Sequence, residues 1–130
     1  MLGAHLSALF LILLVLLQVW IMMRVATERG RSGVKPPAMT GDAALERAIR
    51  VQENTIEQLA MLLPAYALAA SWWSVLWAAV LGLVWIAGRV LYALGYWSEP
   101  GKRSAGFMVA LGATAVLLVG GSVGWLWTLF

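Results

Sequence analysis

Cysteine is absent from the chain, which excludes a disulfide, a thiolate metal site and a cysteine nucleophile. One histidine, His5, leaves no histidine cluster for a metal and no His-based catalytic triad within the chain. Charge is scarce as well: only 12% of residues are charged, and six of them are acidic. What fills the space is apolar. Residues counted as hydrophobic make up 62% of the chain, and the mean hydropathy is +0.85. A soluble domain of 130 residues has too little interior to hide that much apolar surface. The composition therefore indicates a single all-α domain, residues 1–130, lying in a membrane.

The uncharged runs support this, because a helix needs roughly 20 apolar residues to cross about 30 Å of hydrocarbon. Leu2 to Met23 carries no charge and no small-residue cleavage site before Arg24, so it reads as a retained transmembrane helix and not as a signal peptide. From Thr27 to Asp42 the chain turns polar and rich in glycine and proline, which predicts a loop, with Asp42 capping the next helix. Four helices are expected at about 2–26, 43–70, 75–97 and 104–129, forming a four-transmembrane-helix bundle. Pro64 is expected to bend the second of them. Trp72, Trp73, Trp125 and Trp127 suit the far interface.

All nine cations lie in or near the first and third loops, whereas the Ser71–Ser74 turn and both termini have none. The positive-inside rule then places loops one and three in the cytoplasm and both termini outside. Orientation accounts for the net charge of +3 better than nucleic-acid binding does.

Spacing gathers the polar residues further. Arg47, Arg50, Asn54 and Glu57 are three, four and three apart, which lines them along one helix face. Arg89, Tyr92 and Tyr96 share a face near the end of the third helix, and Arg103 stands where the fourth begins. Two readings remain open for this cluster. Glu46 with Arg50, and Glu57 with Arg47 or Arg50, could form salt bridges that only tie helix ends together. Alternatively, cations exceed anions there and leave positive charge for an anionic ligand.

The run from Glu46 to Glu57, with its Arg-x-x-x-Asn-x-x-Glu core, resembles the second-helix signature of the MAPEG family, the membrane-associated proteins of eicosanoid and glutathione metabolism. Arg89-x-x-Tyr92-x-x-Gly95-Tyr96 followed by Arg103 is similar to its third-helix pattern. Leu16-Leu17-Gln18 and Lys35-Pro36-Pro37…Thr40-Gly41 also match. The resemblance implies a homotrimer that binds glutathione, with no metal. Arg29, Arg50, Asn54, Glu57, Arg89, Tyr92 and Tyr96 would hold glutathione, and Arg103 would stabilise its thiolate. Ser104 corresponds to a serine proposed to touch the thiol in the prostaglandin synthase branch, and it also suits a helix cap.

The implied chemistry fits the residue types. Guanidinium forks match carboxylates, and a nearby cation lowers a thiol pKa from about 8.5. The acceptor would be an apolar electrophile or a lipid hydroperoxide arriving from the bilayer. The departures, Gln58, Pro64 and Gly30, point away from the specialised eicosanoid syntheses. The expected function is thus that of a glutathione transferase or peroxidase in a bacterial inner membrane. A non-catalytic binding member of the same family is the alternative. A small multidrug-type antiporter needs an acidic residue deep in the first helix, where this chain offers only Gln18.

Overall fold

A computed structural model describes residues Met1–Phe130 and contains helices but no strand. Helix α1 spans Leu2–Ser32, α2 Ala43–Trp72, α3 Val75–Ser98 and α4 Ser104–Trp127. A single 3₁₀ turn, Pro100–Arg103, leads into α4. Helices α2 and α3 pack on each other and each touches both flanking helices, while α1 and α4 form no packed face together.

Three segments are long and apolar enough to cross a membrane: α1, α3, and α4 with its 3₁₀ lead-in. Helix α2 is as long, at 30 residues, but its first turns carry Glu46, Arg47, Arg50, Glu53 and Glu57. The core follows helical periodicity. Phe10, Leu14, Leu17 and Ile21 of α1 are four, three and four apart and all buried, whereas Leu11, Ile12, Val15 and Leu16 between them are exposed. Trp85 of α3, fully buried, and Leu62 of α2 fill the centre. An apolar exterior around an apolar core is what lipid, as the surrounding solvent, permits.

The first helix continues into the segment expected to be a loop, taking in residues 27–32. Glu28 is the cause: although on the last turns it is only 5% exposed, and it takes Arg24 at 2.9 Å and Arg31 at 2.6 Å along the helix. Thr27 Oγ1 also donates to the Met23 carbonyl, one turn back. Gly30 lies inside the helix at a cost of about 1 kcal/mol, which these contacts offset. Gly33 ends the helix in the left-handed conformation, φ 73°, with its N–H donating to the Arg29 carbonyl. The remaining connection to α2 is short and closes on Asp42, whose side chain accepts from the N–H groups of Ala44 and Leu45. Helix α2 then runs unbroken through Pro64.

Candidate functional site

At the end of the bundle that holds the cations, α2, α3 and the start of α4 enclose a cavity of about 400 Å³. Arg50 and Asn54 line it from α2, Tyr92 from α3, and Arg103, Ser104, Phe107 and Met108 from α4 and its lead-in. Residues 50 to 54 and 104 to 108 each span one helical turn, so each helix presents an edge of the cavity. A second cavity of about 490 Å³ adjoins it, sharing Arg50 and lined also by Arg47, Glu53 and Tyr96.

The approach of α4 to α3 depends on Gly106. A Cβ there would collide with the backbone of Tyr92 and with the Gly88 carbonyl, so only glycine lets the first turn of α4 lie against α3. The same approach sets Arg103, whose guanidinium sits 5.4 Å from the Tyr96 ring centroid. Tyr92 packs between Tyr96, at 5.7 Å, and Phe107, at 6.3 Å.

The cations here outnumber the anions that meet them. Arg50 contacts Glu53 at 3.3 Å, but both side chains are about half exposed, so water weakens the pair. Glu46 accepts from the Gly41 N–H and does not pair with Arg50. Glu57 accepts from Asn54 Nδ2 at 3.1 Å and pairs with neither Arg47 nor Arg50. Arg47, Arg89 and Arg103 have no carboxylate within 4.0 Å. The salt-bridge reading of this face thus accounts for one arginine only.

The residues singled out in sequence are distributed in four ways. Arg50, Asn54, Tyr92, Arg103 and Ser104 meet around one cavity, and Tyr96 lines its neighbour. Arg89 lies beneath, fully buried, donating to Asn54 and Thr55 and facing the Tyr92 ring at 3.9 Å. Glu57 is exposed on the α2 face that carries Arg50 and Asn54. Arg29 stands apart, donating to the carbonyls of Val34 and Ala38 in the first loop. Three contributors escaped the sequence reading. Phe107 and Met108 follow Ser104 by three and four residues, a helical spacing that could have flagged them. Thr55, which receives Arg89, carried no such signal.

This arrangement can hold a small polyanion at its charged edge and meet apolar material at Phe107 and Met108. Comparison with known proteins agrees in class. The chain is 42% identical over 122 residues to an uncharacterized protein of Synechocystis sp., covering 94% of this chain and 89% of that one. It is 36% identical over 107 residues to human microsomal glutathione S-transferase 2, covering 82% and 73%. With guinea-pig (Cavia porcellus) leukotriene C4 synthase, identity is 31% over 110 residues, covering 85% and 73%. A profile of the MAPEG family matches residues 7–123, almost the whole chain with both polar faces inside it, and the protein is therefore an integral membrane member of the MAPEG family.

Proposed function

We propose that the protein is a glutathione S-transferase, with glutathione peroxidase as a side activity, acting on hydrophobic electrophiles or lipid hydroperoxides at the cytoplasmic membrane face. The observation that carries this reading is the convergence of Arg50 and Arg103, from separate helices, on one cavity in which only Arg50 meets a carboxylate. The relatives named glutathione S-transferase and leukotriene C4 synthase favour the same chemistry. Arg50, Asn54, Glu57, Tyr92 and Tyr96 hold glutathione, Arg89 serves it from beneath them, and Arg29 joins from the first loop. The Arg103 guanidinium stabilises the thiolate after the thiol proton passes to water. The sulfur then attacks the electrophilic carbon, a C–S bond forms and the leaving group departs with the bonding pair. Ser104 stands beside Arg103 on the cavity wall and can donate to the same sulfur.

The whole chain acts as one unit of four spans, α2 included, and assembles as a homotrimer. Exposed Arg50 and Glu57 on a helix that enters the bilayer support assembly, since charge facing lipid is costly unless covered. The cation distribution supports cytoplasmic first and third loops and external termini, in a bacterial inner membrane.

Titration calorimetry of purified protein with glutathione, paired with turnover of 1-chloro-2,4-dinitrobenzene, tests the proposal. The expected result is binding by wild type and by Arg103→Ala, with turnover only in wild type. Binding without turnover in wild type would leave a non-catalytic binding protein. No heat of binding would remove glutathione altogether.

A further inference from the structure

Beneath the cavity runs a line of side-chain hydrogen bonds that joins three helix positions in one direction. The Arg89 guanidinium, with no exposed surface, donates from Nη2 to Thr55 Oγ1 at 2.6 Å and from Nη1 to Asn54 Oδ1 at 3.2 Å. Thr55 spends its own proton on the Val51 carbonyl, at 2.7 Å, and so can only accept from Arg89. Asn54 Nδ2 then donates to Glu57 Oε2 at 3.1 Å.

The two ends of this line determine its middle. Arginine can only donate, and an ionised carboxylate can only accept. An asparagine amide placed between them has one workable orientation, oxygen toward Arg89 and NH₂ toward Glu57. Without Arg89 the amide could turn over, and Glu57 would face a carbonyl oxygen. Arg89 has no carboxylate of its own within 4.0 Å, so Glu57, reached through the amide, is the anion that its charge orders.

We propose that Arg89 is a positioning residue: it locks the Asn54 amide so that Glu57 is held with its second oxygen open to an ammonium group of the ligand. The inference rests on the proposed function for the identity of that ligand, whose single amine then chooses Glu57. Arg89 acts through Asn54 and touches no ligand atom.

Asn54 is the only asparagine in the chain, so selective ¹⁵N-asparagine labelling gives one side-chain amide to follow without assignment. In wild type its two protons should resolve away from free-amide positions; in Arg89→Lys, and in the gentler Thr55→Val, they should move toward those positions. Unchanged signals in both variants overturn the inference. A second arm measures affinity for glutathione and for N-acetylglutathione, which lacks the ammonium. Wild type should prefer glutathione, and Arg89→Lys should narrow that preference about tenfold, the scale of one charge-assisted hydrogen bond. Arg103→Ala should weaken both ligands alike. A preference that survives Arg89→Lys overturns the ligand role. Should wild type bind neither compound while the amide signals still shift, the glutathione reading fails and the positioning of Asn54 stands.

Discussion

Two groups of arginines lie at the same end of the bundle and have opposite fates. Around the first loop, Glu28 takes both Arg24 and Arg31, and Arg31 reaches on to Asp42, so two carboxylates serve two guanidiniums. Around the two cavities, Arg47 and Arg103 meet no carboxylate and Arg50 meets an exposed one, while Arg89, buried beneath, also has none. The first group is closed on itself and staples α1 to α2. The second leaves charge directed at a cavity. Residue type is the same in both, so the difference lies in which acids stand within reach: Glu28 within a turn along α1, and Asp42 where the first loop closes. Glu57, which could have closed the second group, is instead held by Asn54.

The comparison predicts that cavity substitutions change chemistry and staple substitutions change only stability. The largest effect is expected for Arg103→Ala, a fall in kcat of about 10²- to 10³-fold, typical of removing a donor aimed at developing charge. The thiolate absorbance of bound glutathione should vanish with it; a thiolate that persists would separate Arg103 from the chemistry. Next, Arg50→Ala should weaken glutathione by roughly 10- to 100-fold in calorimetry. An unchanged affinity would assign Arg50 to Glu53 alone. Gly106→Ala should lower stability by about 1–3 kcal/mol through overpacking against Tyr92, with a loss of turnover as Arg103 is displaced.

On the staple side, Glu28→Gln should lower the thermal midpoint, by about 1 kcal/mol in stability, and leave glutathione affinity unchanged. A matching loss of affinity would erase the distinction between the two groups. The smallest effect belongs to Asp42→Asn, which keeps a helix cap while removing the charge. The Arg31 guanidinium, with help from the Leu45 N–H, holds the Asp42 carboxyl below its ordinary value. A depressed value stabilises above the unfolded pKa of about 3.9 and is lost as pH falls through the folded one. The midpoints of wild type and Asp42→Asn should therefore differ near neutral pH and converge on acidification below about 3.9. A gap that widens on acidification would contradict the assigned pair.

Much of this was legible from spacing. The cap at Asp42 and the phase of Arg89 with Tyr92 follow from neighbours within a turn or two, whereas the buried face of α1 does not, because Leu2 to Met23 is apolar on every side. The extension of α1 to Ser32 was legible in part: Arg24, Glu28 and Arg31 have the spacing of a charged helix, but the glycines and a lysine–proline run pointed to a loop, and only the structure shows Glu28 buried between the two arginines. Of the residues that line the candidate cavity, Arg50, Asn54, Tyr92 and Arg103 could be gathered from spacing, and Ser104 only from the family resemblance. That Arg89 faces Thr55 inside and that Arg29 turns to loop carbonyls could not.

The sequence by itself determined a helical membrane protein with its cations at one end, since hydropathy, helical period and charge distribution are properties of near neighbours along the chain. The pairs of Glu28 with Arg24 and Arg31, and of Glu53 with Arg50, also lie within a turn, so what only the tertiary structure decided is which cations face a cavity. A cavity between helices depends on how closely their backbones approach, and at Gly106 that distance is set by the Tyr92 and Gly88 backbone of α3 and not by anything within a turn of it.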